Sequence, residues 1–261
     1  MTRTQIWNNG GGMQSAAIAA LIVMGKLPAP DLAVIADTGR ERSSTWDYLN
    51  TVTGPALEAV GVKVHRVSKE RYATKDVFGG KNLATPLIPG FTTKGGNIGK
   101  LSGYCSGEWK RDVIRRFVTK EHGVKAATNW VGFSSDELGR AVKAQNSSKT
   151  GGKWLLRFPL IELGMNRGDC VSLVQRMGWP NPPRSSCWMC PNMKMEEWRQ
   201  VQEDTRDWPK VIEFDKWLRQ RDPDVWLTDQ ALPIELTDFD DDNEVLFGRD
   251  RGACHSGLCF V

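Results

Sequence analysis

Cys187 and Cys190, in the stretch RSSCWMCPN, stand three positions apart in a chain of 261 residues with six cysteines. A Cys-x-x-Cys pair serves as half of a metal site, as a redox dithiol, or as two thiols in a core. Pro182 and Pro183 before the pair and Pro191 within its end stiffen this loop, because proline fixes a backbone angle. Six cysteines are too sparse for a disulfide scaffold. Gly10, Gly11 and Gly12 interrupt any charged-then-apolar export signal, which predicts a cytoplasmic protein. In that reducing compartment spaced thiols serve metal binding or catalysis more often than disulfides. Cys105 stands far upstream in YCSGEWK, Cys170 on the apolar helix RGDCVSLV, and Cys254 and Cys259 in ACHSGLCFV. Cys170 reads as a core residue. The tail pair reads either as exposed thiols of no consequence or as a mobile arm that brings a nucleophile or closes a metal site. His65 and His122 show no ligand spacing and read as structural, while His255 between the tail cysteines is a metal candidate.

A second chemistry is anion binding. WNNGGGMQSAAIAA, residues 7–20, sets three glycines between a strand and a helix. Backbone N–H groups of such a turn, with the helix N-terminus behind them, favour phosphate or sulfate, and Ser15 adds a hydroxyl. The alternative is a tight turn that needs glycine dihedrals. No Walker-type Gly-Lys-Ser/Thr follows. Two more strand ends are polar: Asp37, Thr38 and Gly39 in IADTGRERSS, and Ser134, Asp136, Glu137 and Arg140 in VGFSSDELGR. Each also has a plainer role, the first as a helix cap, the second as a capping box of Ser134 with Glu137. Lys110 falls within the inward arc of a helix over Glu108–Lys120, one turn before Val113, Ile114, Phe117 and Val118. A lysine so placed needs an acidic partner or an anionic ligand, or else snorkels to solvent.

The elements that must position these residues alternate. Strands are expected at Thr4–Trp7, Leu32–Ala36, Val62–Val67, Asn129–Phe133 and Leu155–Phe158. Helices are expected at Met13–Met24, around Ser44–Thr51, and later at Asn166–Met177, Met195–Glu203 and Val211–Arg219. LAVIA at 32–36 is a continuous apolar run, as a strand buried on both faces requires. Strands spaced by helices predict an α/β fold: a Rossmann-like, mostly parallel sheet with helices on both faces over residues 1–165. A smaller helical, cysteine-containing part over 166–261 follows. Residues 70–107, rich in Gly, Lys and Thr, read as a lid or a disordered stretch. ELTDFDDDNE at 235–244 reads as a solvated surface segment. No apolar run is long enough to span a bilayer, so no membrane partner is expected. The net charge of +4 points weakly to an anionic partner, such as a nucleotide, a sulfate ester or nucleic acid. The eleven tryptophans mostly serve packing, with base stacking the rarer use.

Taken in order, the motifs resemble the phosphoadenosine phosphosulfate (PAPS) reductase family, within the adenine-nucleotide alpha-hydrolase superfamily that also holds the ATP pyrophosphatases. GGGMQS (10–15) is similar to that superfamily's PP-loop, usually SGGxDS; DTGRE (37–41) to the reductases' DTGxE; YCSGEWK (104–110) to their Cys-x-x-x-x-Lys stretch; and RSSCWMCP to their Cys-x-x-Cys-Pro. GFSSDELGR resembles the segment ending in an arginine that faces nucleotide or sulfate. The sequence departs from the family at Gly10 and Gln14, where many pyrophosphatases have Ser and Asp. Cys105 lacks the adjacent second cysteine of assimilatory reductases, and their Glu-Cys-Gly-Leu-His tail is missing. The resemblance implies an enzyme binding ATP, PAPS or adenylylsulfate (APS), with Mg as a possible companion ion. Gly10, Gly11, Gly12, Gln14, Ser15, Asp37, Thr38, Gly39, Ser134, Asp136 and Glu137 would bind the nucleotide. Lys110, Arg140, Cys254 and Cys259 would act in catalysis. Cys105, Cys187 and Cys190 would hold a 4Fe–4S cluster, with zinc or free redox thiols as alternatives. Expected reactions are ATP-driven sulfur transfer onto an acceptor that includes nucleic acid, or reduction of a sulfonucleotide to sulfite, with a sulfur-donor or reductant protein as partner. A third alternative is a nucleotide- or nucleic-acid-binding protein without catalysis. The oligomeric state is not legible.

Overall fold

The computed structural model describes residues 3–78, 86–147 and 151–240. Its strands are β1 (Thr4–Asn8), β2 (Leu32–Asp37), β3 (Val64–Ser68), β4 (Phe91–Thr92), β5 (Gly99–Lys100), β6 (Ala127–Trp130), β7 (Trp154–Arg157) and β8 (Val225–Trp226). The helices are α1 (Met13–Val23), α2 (Ser43–Tyr48), α3 (Gly54–Glu58), α4 (Lys69–Tyr72), α5 (Asp112–His122), α6 (Leu138–Ser147), α7 (Pro159–Glu162), α8 (Arg167–Arg176), α9 (Met195–Glu203) and α10 (Trp208–Arg221).

Five strands form one sheet in the order β3-β2-β1-β6-β7, each pair parallel. Alternate side chains feed two cores, as the two-residue period of a strand requires. Trp7 and Ala33 face α1, α3 and α8 through Ala17, Leu57 and Leu173. Ile6 and Val34 face α5 through Val113, Ile114 and Val118. Helices therefore cover both faces, and the fold is the expected Rossmann-like α/β sheet. The chain leaves β1 toward β2 on one side, and β6 joins β1 on the other. Ligands in open α/β sheets bind outside the carboxyl ends of the strands at such a reversal.

The expected strand at 129–133 lies earlier, at Ala127–Trp130. Phe133 N donates back to Val131 O at 3.0 Å, so the chain turns at Gly132. A Cβ at Gly132 would come 3.4 Å from that of Gln14, so this turn lies against the start of α1. The helix expected from Glu108 begins as a π-helical turn, Gly107–Arg111, and continues as α5.

Residues 70–107 differ from the expected structureless lid, within their described part. β4 pairs antiparallel with β5 and with β8, tying this stretch to the C-terminal helices. Ile88 and Trp109 share one core with Trp188, Trp198, Phe214 and Ile234. α8 packs on α1. Apolar contacts thus run across residue 165 from both sides. Of the acidic segment, residues through Asp240 are described, with Ile234–Leu236 a short 3-10 turn. Cys254, His255 and Cys259 lie outside the described residues.

Candidate active site

The glycine turn sits at the reversal. Gly11 has φ +74, and a Cβ there would stand 2.6 Å from Thr45 Cγ2, so both backbone and space demand glycine. The turn is held by its own atoms: Gly10 N donates to Ser15 Oγ at 2.8 Å, and Gly11 N to Asn9 Oδ1 at 2.8 Å. Because Ser15 Oγ accepts the Gly10 bond, its own proton remains a donor for a ligand.

Over this turn opens a cavity of about 620 Å³. Gly10, Gly12, Gln14 and Ser15 line one wall, Glu137 and Arg140 a second, and Arg184, Ser185 and Lys194 a third. That volume is in the range of small-molecule sites. Two of its cations come paired with carboxylates. Arg140 pairs with Glu137 and lies over the Phe133 ring, 4.7 Å from its centroid. Arg184 pairs with Glu197. Glu137 also completes the capping box with Ser134 and accepts from Gln14 Nε2 at 3.1 Å. Where the loop carries Gln14 instead of an acid, a carboxylate from the turn that leads into α6 stands against it in space. Gly11, Asp37, Thr38, Gly39, Ser134 and Asp136 are not among the residues lining this cavity. Asp37 accepts from Gly39 N and from Arg66, and Ser134 caps its helical turn.

The cysteine segment lies beside the turn. Cys187 pairs antiparallel with Glu41; Arg42 N donates to Ser186 O at 3.1 Å, and Trp188 N to Arg40 O at 2.8 Å. The DTGRE and Cys-x-x-Cys motifs are therefore zipped together. Ser185, two residues before Cys187 and buried, donates its hydroxyl to the Gly10 carbonyl. Thr38 Oγ1 and Cys187 Sγ share a hydrogen bond at 3.4 Å. Cys105 enters from the other side, its N–H held by Leu87 O at 3.1 Å.

Cys105, Cys187 and Cys190 are free thiols packed against one apolar cluster. Burial, with the neighbouring Cys187, pushes Cys105 up to about 11. Burial, with Glu41, pushes Cys187 up to about 12, and burial with Cys105 pushes Cys190 up to about 11. Such thiols stay protonated at neutral pH unless a metal or another cation draws the proton off. Lys110 is the nearby cation. It does not snorkel: Nζ donates to Glu41 Oε2 at 3.1 Å, with both side chains largely buried. Burial works against its charge, but Glu41 and the thiols of Cys187 and Cys105 outweigh it, so its pKa is raised overall. Cys170 is buried in the α1–α8 core. Among the described residues no three His, Cys, Asp or Glu side chains form a group ready to hold a metal ion. The donors nevertheless fit a thiolate-held cluster in kind: three soft ligands from two segments, packed against one apolar cluster.

Three site residues went unassigned in the sequence. Glu41 and Ser185 lie inside quoted motifs, but only tertiary pairing shows that one meets Lys110 and the other the glycine turn. Arg184 borders the cysteine segment, and nothing in its local pattern signals the cavity.

Strand order, turn and cavity define a doubly wound α/β protein with its cleft at the strand reversal. The order of its motifs along the chain resembles that of the PAPS reductases. A phosphoadenylyl-sulfate (PAPS) reductase from Candida auris, solved as a phosphate complex, is similar at 15% identity over 68% of this chain and 75% of its own, with a TM-score of 0.39. The U34-tRNA thiolase NcsA from Methanococcus maripaludis, solved with its [4Fe-4S] cluster, is similar at 13% identity over 99% of this chain and 81% of its own, with a TM-score of 0.45. No family model and no curated protein matches the sequence. Among the described residues no helix is long and apolar enough to cross a membrane.

Proposed function

We propose that this protein is an adenine-nucleotide-dependent enzyme of sulfur chemistry, and that its reaction is ATP-driven sulfur transfer onto an acceptor such as nucleic acid. One observation carries the reading: the segment that holds Cys187 also touches the glycine turn, through Ser185 on the Gly10 carbonyl. A phosphate-type cradle and a thiol cluster thus stand side by side at the one place where such a sheet binds ligands. The order of motifs along the chain supports the same reading.

In this proposal the turn and the N-terminus of α1 hold the phosphates, with Mg as companion ion. Ser15 donates to a phosphate oxygen. Arg140, released from Glu137, binds the anionic part, and charge-assisted contacts of this kind are the strong ones. Lys110 stands between thiols and turn, where its charge stabilises an anion that develops between them. Cys105, Cys187 and Cys190 would hold an iron–sulfur cluster, and that group supplies bound sulfur or electrons. Trp188 and Met189, buried between the ligands, keep water away from it. ATP activates an acceptor oxygen, pyrophosphate departs, and sulfur then replaces the activated oxygen as AMP leaves. Cys254 and Cys259 are proposed as nucleophiles that the tail brings to the site.

Calorimetric titration of anaerobic protein with ATP, PAPS and APS separately, followed by a turnover assay with the tightest ligand, tests the reading. ATP binding with AMP release in the presence of sulfide supports it. Preference for a sulfonucleotide with sulfite release assigns reduction instead, and binding without turnover assigns a non-catalytic role.

A further inference from the structure

Between the glycine turn and the thiols lies a second, much smaller chamber. Asn8, Asn9 and Gly10 line it from β1 and the turn, Glu41 and Lys110 from the thiol side, and Ile35, Ala36 and Ile114 close it with apolar surface. It leaves about 20 Å³ for the centre of a water-sized sphere, and one water needs about 10–15 Å³ by that measure. Two residues that line it each carry a buried polar atom without a hydrogen-bond partner: Glu41 Oε1 and Asn8 Oδ1. Both residues are more than nine-tenths buried, Glu41 at 6% and Asn8 at 8% exposure. A buried acceptor left without a donor costs about 1–3 kcal/mol, more if charged, so two in one small space call for a shared donor.

We infer that this chamber is a binding site for a single ordered water molecule. The water donates one proton to Glu41 Oε1 and the other to Asn8 Oδ1, and accepts from Lys110 Nζ on the same wall. Three bonds are what buried waters typically make. If the Asn8 amide is turned over, its nitrogen donates to the water instead, and the partner count is unchanged. The chamber is too small for a nucleotide group, and the Lys110 ammonium on its wall repels a metal cation. The bound water pins the Glu41–Lys110 pair to the end of β1 and joins the thiol side of the site to the glycine turn. The inference stands on the chamber and its orphaned acceptors, independent of which reaction the protein catalyses.

Crystallography of the full chain, at a resolution that shows single waters, tests this in the wild type, Glu41→Gln and Asn8→Leu. The expected result is one peak within about 3.2 Å of both side chains, retained in Glu41→Gln, which keeps an acceptor, and lost in Asn8→Leu. An empty chamber in the wild type, Glu41 turned out of it, or a peak unmoved by Asn8→Leu would overturn the inference. So would an anomalous signal at the peak after soaking with thallium, which would mark a monovalent cation. Should Asn8→Leu fail to fold, the wild type and Glu41→Gln still decide.

Discussion

The glycine turn and the cysteine segment are both loops at the active edge of the sheet, yet they are held in opposite ways. The turn is fixed locally: Asn9 and Ser15 accept from the N–H groups of Gly11 and Gly10, within a few residues of sequence. The cysteine segment is fixed by distant partners: residues 40–42 pair with its backbone, and Thr38 reaches the Cys187 thiol. A loop fixed mainly by its own residues depends less on its neighbours, and so suits a cradle. A loop fixed at a distance places chemistry beside that cradle and depends on every partner that holds it there.

The comparison yields graded predictions. The largest effect falls on the distant partners. Glu41→Ala removes the carboxylate that Lys110 Nζ donates to, and removing one member of a buried pair costs about 3–5 kcal/mol. Urea unfolding should show that loss, and Cys187 should react faster with a thiol reagent. Gly11→Ala attacks the turn instead. A left-handed backbone angle costs a side chain about 1–2 kcal/mol, and the clash with Thr45 adds overpacking of about 1–3 kcal/mol. Nucleotide affinity should fall sharply in titration calorimetry while thiol reaction rates stay unchanged. If Gly11→Ala speeds the thiol reaction as much as Glu41→Ala does, the two loops are not separately held. Ser185→Ala cuts the link between them, one hydrogen bond worth about 1 kcal/mol; a small change in both nucleotide affinity and thiol reactivity is expected, and no change in either would remove Ser185 from the site.

The smallest effect is a pH one, at the far end of the proline-rich stretch. Tyr48 donates to Pro180 O at 2.9 Å, and burial raises its pKa to about 12. A raised pKa means that the folded state holds this proton more tightly than the unfolded chain. Its contribution to stability is therefore complete below about pH 10, the unfolded value, and fades as pH rises toward 12. Burial and the Glu121 hydrogen bond also push Tyr72 up, so ultraviolet titration should show late tyrosine ionisation that shrinks, without vanishing, in Tyr48→Phe.

The same contrast explains what was legible in the sequence. LAVIA and the strand–GGG–helix order announced β2 and the turn, because apolar runs and glycine dihedrals are local signals. The capping box of Ser134 and Glu137 was equally visible. That Glu137 also receives Gln14, that Glu41 meets Lys110, and that residues 40–42 pair with 186–188 all depend on tertiary approach, which no local pattern encodes. The early end of β6 is of the same kind: the chain turns at Gly132, packed against the start of α1. The strands of residues 91–100 were missed because two-residue strands in a glycine-rich stretch carry no alternation to read.

The central claim is that Cys105, Cys187 and Cys190 act as one cofactor site beside a nucleotide cradle. Its most direct test is iron and acid-labile sulfide content after anaerobic reconstitution of the full chain, comparing wild type with Cys105→Ser and Cys187→Ser. The wild type should retain one 4Fe–4S cluster with its visible absorption, and each variant should lose most of it. A wild type that retains no iron, or variants that retain as much as the wild type, would contradict the account.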